Sequence, residues 1–369
     1  FRRQGAHMKN IPQMEPWFNE AETQAVTAYM QSGGWIMEFK KTEELEKQIA
    51  VFTGIPHCVM MPNGTVSLTL AMLALGLKAG DEVLVPNVTM IASPNAAKLV
   101  GIQPVFVDVE PETLCMDLAK AKEKVTPRTK ALMYVAFNGR SGDMEEVVTF
   151  CRDHKLFLIE DAAQALGSYF QKKHIGTFGE IGSFSFSVPK IITTGQGGAL
   201  ITSREEIARK IKQLKDFGRI GGGVDIHEEW GWNFKFTDLQ AVIGLEQMKK
   251  LPWRIERKKE IWRRYAIGLS GIKQIESLPT NLADTAPWFI DIFVDDPNAL
   301  QTYLKEKGIG TRRIYPAIHT QKIYADTYRE KNFQVSEHYA SRGLWLPSSS
   351  KLSDDEIDYI VNAIRMYYH

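Results

Sequence analysis

The sequence predicts an α/β protein: a large unit built on a mostly parallel sheet, followed by a smaller α+β unit at the C-terminal end. The first observation behind this is alternation. Short apolar runs at His57–Met61, Glu82–Pro86, 103–109, 129–137, 156–160 and 182–187 read as strands, and helix-like spacing at 66–77, 117–124 and 144–154 separates many of them. Two further helices, Glu20–Gln31 and 42–53, precede the alternation, after a leading segment rich in Pro and Trp. The second observation is a change of rhythm near Pro252. There WRIERKKEIWRRYAIGL reads as a long amphipathic helix, followed by strand-like WFIDIFV, a helix at 298–307 and a last helix at 353–367 capped by Ser353. The expected boundaries are 1–9 for a remnant (FRRQGAH) and a natural start at Met8, 10–250 for the large unit and 251–369 for the small one.

Composition narrows the function. Lysine and arginine number 45 against 44 acidic residues, so no general electrostatic case exists for nucleic acid or an anionic membrane. The basic side of the 252–269 stretch is therefore expected to be a solvated face bridging the two units. No apolar run reaches the roughly 18 residues of a membrane span, and FRRQGAH lacks the apolar core of a signal peptide. Cys58, Cys115 and Cys151 lie far apart without metal-like spacing, which fits a reducing, cytoplasmic setting.

Three segments place polar groups where a parallel sheet delivers side chains to a ligand. In LFLIEDAAQALG, Asp161 follows an apolar strand and is either a helix N-cap or a ligand-facing carboxylate. In MPNGTVSLTLAML, Gly64 and Thr65 open an apolar helix, which is either plain punctuation or an N–H-rich phosphate site. In SFSFSVPKIITTGQGGAL, Lys190 ends an apolar run; it either snorkels to the surface or is buried with a lowered pKa, as a Schiff-base amine requires. A cofactor with a phosphate, an aromatic cation and an aldehyde would use all three groups, and pyridoxal 5′-phosphate has them.

IEDAAQALGS, SFSFSVPKIITTGQGGALIT, GWNFKFTDLQAVIGLEQMKKL and TRRIYPAIHTQKIY occur in the order seen in the DegT/DnrJ-type sugar aminotransferases, and the chain resembles that family from about Asn10 to Tyr368. The resemblance implies a fold-type I, aspartate-aminotransferase-like large domain and pyridoxal phosphate as cofactor. Lys190 would hold it as a Schiff base, Asp161 would bond the pyridine nitrogen, Gln164 would lie beside the phenolic oxygen and Ala163 under the ring. Gly64, Thr65 and Ser185 would bind the phosphate, joined by Asn233 from the neighbouring subunit of a homodimer with shared sites. Gly195, Gly197 and Gly198 then read as the turn by which the chain leaves a crowded site.

Departures from the family pattern bear on detail. Met90 stands where an aromatic residue usually stacks on the cofactor, and a thioether also packs on a ring. AFNGR brings Asn138 and Arg140, the latter either a surface charge at a helix start or the reader of an anionic substrate group. Tyr315 and His319, in YPAIHTQ, align with residues near the sugar, although a lone histidine is more often structural. The implied substrates are L-glutamate and a keto sugar, a nucleotide-linked 4-keto-6-deoxyhexose or a 3-keto relative, in amino-sugar or surface-polysaccharide biosynthesis. A keto-acid sugar such as an 8-oxo octulosonate is the alternative. A sugar dehydratase, in which relatives replace the lysine by histidine, is disfavoured by Lys190, and a regulatory relative without turnover is the remaining class.

Overall fold

The computed structural model describes residues 10–221, 224–328 and 332–369, so the expected remnant at 1–9 lies outside the described residues. Among the described residues nine strands precede the long helix: β1 (His57–Met61), β2 (Glu82–Pro86), β3 (Gln103–Val107), β4 (Thr129–Val135), β5 (Phe157–Asp161), β6 (Tyr169–Phe170), β7 (Lys173–His174), β8 (Ile181–Ser185) and β9 (Gly198–Thr202). Seven of them form one sheet in the order β1-β9-β8-β5-β4-β2-β3, and β6 and β7 pair apart. Every neighbouring pair in the sheet is parallel except those of β9, which runs against both β1 and β8. The carboxyl ends of β1, β2, β4, β5 and β8 therefore share one edge, the edge at which such sheets bind ligands.

The strand sequences are apolar almost throughout because both faces are covered. Val83, Val85, Ala131, Met133 and Ile159 pack into one core cluster, while Leu84, Leu132, Tyr134 and Leu158 alternate into the other. The helix Lys40–Thr53 begins two residues ahead of the sequence reading, without a capping side chain from Phe39. Asp238 supplies the cap from far along the chain: its carboxylate accepts from the backbone of Phe39, Lys41 and Thr42 at 2.8, 3.0 and 2.9 Å.

The largest difference from the sequence reading is the long helix. It spans Asp238–Leu269, runs through Pro252 and crosses the expected boundary between residues 250 and 251. Pro252 lies on the exposed side, where a missing helical bond is least costly. The basic face is also not all solvated. Arg254 and Lys258 are buried: Arg254 donates to the carbonyls of Ile191 and Trp17, and Lys258 to the carbonyl of Ser348 at 2.5 Å. Leu245, Leu251 and Ile255 of this helix pack on the large sheet, and Ile261, Tyr265 and Leu269 on the small one.

The small sheet has the order β10 (Ile290–Phe293), β12 (Gly343–Leu346), β11 (Arg312–Arg313), all antiparallel. Its outer helices include Pro297–Glu306 and Asp354–Tyr368, the latter closed by a Ser353–Glu356 capping box. A fourth apolar cluster joins the two sheets: Val88 and Phe137 from the loops of the large sheet meet Trp288, Phe289 and Trp345. Among the described residues no helix is long and apolar enough to cross a membrane.

Candidate active site

The shared edge of the large sheet brings three of the sequence-predicted segments together. β5 ends on Asp161, which pairs in register with Ser183 of β8; β8 ends on Ser185, five residues before Lys190. β1 leads through Asn63 into the helix Gly64–Ala74, whose Asn63 cap takes only the Val66 N–H, leaving the N–H groups of Gly64 and Thr65 outside the helical ladder. A Cβ added to Gly64 would lie 3.0 Å from the Ser185 Cβ and 3.3 Å from its Oγ. Gly64 is thus bare at the spot where the helix start and the Ser185 hydroxyl face each other, a cradle suited to a phosphate.

Gly198 has a packing reason of its own. Its added Cβ would meet the Asn63 carbonyl carbon and oxygen at 2.7 Å, so β9 presses directly on the turn before that helix. Gly195 has φ +80° with nothing near it, the mark of a turn residue.

Asp161 is buried. Its Oδ2 accepts from Ser93 Oγ at 2.8 Å, Ser93 in turn shares a bond with Thr89 Oγ1 at 2.9 Å, and Oδ1 accepts from the Ala163 N–H at 3.2 Å. Burial pushes the carboxyl above its usual range, against the Ser93 bond, the Lys190 charge and the Ala163 N–H, which lower it. A carboxylate so under-compensated is a place for a cation.

Lys190 is half-buried, and its amine lies 4.2 Å from the centroid of the Trp288 ring. Desolvation brings the amine down to about 8; Asp161 raises it and the nearby Arg312 lowers it further. The indole N–H of Trp288 donates to the Pro189 carbonyl at 2.7 Å, so the same ring that faces the amine also holds the backbone before it.

Other expected residues fall as follows. Gln164 is buried, and its Oε1 accepts the Asn138 N–H at 2.7 Å, which leaves its Nε2 without a partner among the described residues. Met90 is exposed beyond β2, and Ala163 and Thr65 are half-buried. Asn233 is exposed, bridges to Asp216, and makes no bond to Gly64, Thr65 or Ser185 among the described residues.

Both sequence readings of Arg140 need correction. It is neither a surface charge nor open to a substrate: only 4% exposed, it forms a two-toothed pair with Asp291 at 3.1 and 2.5 Å, and Asn138 donates to the same carboxylate. β10 had to be in place for this to be seen, since Asp291 lies 151 residues away.

His319 is also spent. Its Nδ1 meets Asn87 Nδ2 at 2.8 Å, its Nε2 lies 3.2 Å from Glu337, and its ring packs on Phe333. Burial lowers its pKa against the opposing pull of Glu337. Tyr315 stands edge-on to Trp345, and burial raises its phenol while the Arg312 charge lowers it.

Sequence reasoning missed Ser93, Trp288, Trp345, Arg312 and Lys258. Ser93 was signalled by its place four residues after Thr89, in the first turn of the helix Ala92–Lys98 beyond β2, and Trp288 by a tryptophan at the head of a strand-like run. Lys258 carried no signal apart from its helical spacing to Arg254.

The donor set fits a phosphate-bearing pyridinium aldehyde: N–H groups and a hydroxyl at Gly64, Thr65 and Ser185, a buried carboxylate at Asp161, and an amine of lowered basicity at Lys190. Among the described residues no cluster of His, Cys, Asp or Glu suits a metal ion.

The chain is similar to known proteins along nearly its whole length. The chain is 34% identical to the GDP-perosamine synthase of Escherichia coli O157:H7 over 98% of its length and 99% of the relative's. It is 33% identical to the GDP-perosamine synthase of Vibrio cholerae, over 97% and 99%. Among solved structures it is similar to the putative sugar aminotransferase Spr1654 from Streptococcus pneumoniae in its PMP form, with a TM-score of 0.91, 27% identity and 97% of each chain covered. A profile of the DegT/DnrJ/EryC1/StrS aminotransferase family matches residues 16–365, and the chain belongs to that family.

Proposed function

We propose that this aminotransferase uses pyridoxal 5′-phosphate to move an amino group from L-glutamate to a nucleotide-linked keto sugar, a 4-keto-6-deoxyhexose or a 3-keto relative. The observation that carries the proposal is the Lys190 amine, lowered to about 8 and set within electrostatic reach of the buried Asp161 at the carboxyl edge of the sheet. The relatives named as GDP-perosamine synthases support the sugar end of this reading, because the product in their name includes a nucleoside diphosphate. The keto-acid alternative rested on Arg140 as a carboxylate reader, and Arg140 is committed to Asp291.

When bound, the cofactor supplies an aldehyde that condenses with amines and a pyridinium ring that withdraws electrons. Asp161 holds the proton on the ring nitrogen, and the ring cation in turn offsets the burial of its carboxylate. Ser93 and the Ala163 N–H fix the direction of that carboxylate. Gly64, Thr65 and Ser185 bind the phosphate and so set the distance from Lys190. Lys190 is the amine that would hold the aldehyde of the bound cofactor and would be freed when the donor takes its place. An amine of lowered basicity at Lys190 would then be suited to take the proton from Cα of the donor. Gln164 would offer its Nε2 to the cofactor's phenolic oxygen, and Ala163 and Met90 would supply apolar contact to its ring.

The active unit in this reading is a homodimer, with Asn233 of one subunit reaching the phosphate of the other. An apolar surface supports it: Trp35, Ile36 and Phe39 are exposed in one segment, Ile220, Ile226 and Trp230 in another, and Phe39 and Ile220 line one cleft.

The test is spectral. The cofactor-loaded protein should absorb in the visible, lose that absorbance with glutamate, and regain it with the correct keto sugar. No change with any amino donor would sink the aminotransferase mechanism.

A further inference from the structure

Lys190 stands in an irregular stretch, residues 186–197, between the end of β8 and the start of β9, so no strand or helix ladder fixes its backbone. Two side chains from distant parts of the chain do so instead. The indole N–H of Trp288 donates to the carbonyl of Pro189 at 2.7 Å, and Nη1 of Arg254 donates to the carbonyl of Ile191 at 2.9 Å. These carbonyls lie on either side of Lys190. The Lys190 N–H donates to the Ser187 carbonyl at 3.0 Å, so the peptide plane before its Cα is held at both polar atoms.

Both holders are themselves braced. Gln247, two turns before Arg254 on the same face of the long helix, accepts through one Oε1 from Arg254 Nη1 at 2.8 Å and from the Thr193 N–H at 3.3 Å. Nη2 of Arg254 donates to the Trp17 carbonyl at 2.8 Å, and its guanidinium lies 5.0 Å from the Trp17 ring centroid. The Trp288 ring stacks on Phe289 at 3.9 Å and meets Trp345 edge-on at 5.5 Å, forming one aromatic wall. Arg254 is only 3% exposed, yet its acceptors are two backbone carbonyls and an amide oxygen, with no carboxylate among them. A buried cation held this way returns little stability for its desolvation, and an apolar side chain of similar volume would fill the space as well. What the guanidinium adds is direction for the Ile191 carbonyl.

We propose that Arg254 is a positioning residue for Lys190, bracketing the lysine together with Trp288 so that its amine is aimed at the aldehyde of the cofactor. This rests on the aminotransferase reading above and deepens it. In that reading the aldehyde is placed independently, by the phosphate cradle at Gly64, Thr65 and Ser185 and by Asp161. Two groups placed independently condense quickly only when their separation is right, and a misplacement of about 1 Å costs up to about 100-fold in rate. An unheld loop would spread the amine over several positions; the bracket confines that freedom to the side chain. Arg254 acts through the loop backbone and need not touch the cofactor.

The experiment separates placing the lysine from binding the cofactor. Cofactor-free protein and its Arg254→Met, Arg254→Lys and Trp288→Phe variants are mixed with pyridoxal 5′-phosphate, and condensation is followed by absorbance and by borohydride trapping on Lys190. Pyridoxamine 5′-phosphate, which has no aldehyde to condense, is titrated calorimetrically against the same proteins, with melting temperatures recorded. Arg254→Met should slow condensation at saturating cofactor by roughly 10- to 100-fold and leave the pyridoxamine phosphate affinity nearly unchanged. Arg254→Lys should recover part of the loss, and Trp288→Phe, which keeps a ring but loses the N–H, should slow condensation less and in the same way. These two conservative variants decide the matter if Arg254→Met does not fold. Wild-type condensation rates in Arg254→Met, or in both conservative variants, would overturn the proposal. So would an affinity for pyridoxamine phosphate that falls in step with the rate, the mark of a site that has merely loosened. A wild-type protein that forms no bond to the cofactor at Lys190 would instead count against the aminotransferase reading itself.

Discussion

Two lysines of lowered basicity, Lys190 half-buried and Lys258 fully buried, sit in the same molecule with different surroundings. Lys190 follows β8 at the sheet edge, and Lys258 lies midway along the helix Asp238–Leu269. Burial lowers the first to about 8 and the second to about 7. A lowered pKa therefore does not separate them. What separates them is company: the Lys190 amine faces an aromatic ring and lies within reach of the under-compensated Asp161, whereas Lys258 donates to one carbonyl and has Phe289 at 5.6 Å. A depressed lysine becomes a reagent only where neighbours are arranged for what it attacks.

The comparison can be broken most sharply at Lys190. Lys190→Ala should lower turnover by more than about 10³-fold while the fold persists; near-normal rates in a steady-state assay would show that the wrong lysine was assigned. Next in size is Arg140→Ala, the loss of a committed cation. It leaves Asp291 buried without its partner and should cost about 3–5 kcal/mol in denaturant unfolding. A normal unfolding midpoint with a raised KM for the sugar would return Arg140 to the substrate.

A pH series sharpens the contrast further. With the cofactor removed, the rate of reloading should rise through about pH 8 and level off above it, as Lys190 becomes a neutral nucleophile. A rate still climbing toward the ordinary lysine range would mean that the amine is solvated. The smallest effect belongs to Lys258→Met. Because this lysine is depressed to about 7 from its usual 10.5, the unfolded chain binds the extra proton between those values. Its burial penalty is full below about pH 7 and fades as pH rises toward 10.5, so this group makes stability increase with pH over that window. The substitution should remove that slope and retain turnover. Melting curves at pH 7 and 10 measure the slope.

The parts legible in the sequence were those set by local pattern. Glu20–Gln31, β1 and β2 fall where spacing and flanking turns placed them, because their apolar periods are uninterrupted and their ends are marked by Asn, Gly or Pro. Asp161 and Lys190 stood out because a strand end is a local feature, although each kept two readings there; Ser185 entered only through the family resemblance, and parallel strands bring the three segments to one edge. The start of the long helix was not legible, because Pro252 reads locally as a breaker while packing on both sheets carries the helix through it. Nor were the fates of Arg140 and His319, whose partners Asp291 and Asn87 are 151 and 232 residues away. Trp288, Trp345 and Arg312 belong to one wall only after β10, β12 and β11 pair, and no local period announces that pairing.

The account turns on which lysine meets the cofactor. Loading the protein with pyridoxal 5′-phosphate, reducing it with borohydride and mapping the modified peptide by mass spectrometry tests this directly. A phosphopyridoxyl group on Lys190, with Lys258 unmodified, is the predicted result; modification of Lys258, or cofactor bound with Lys190 unmodified, would contradict it.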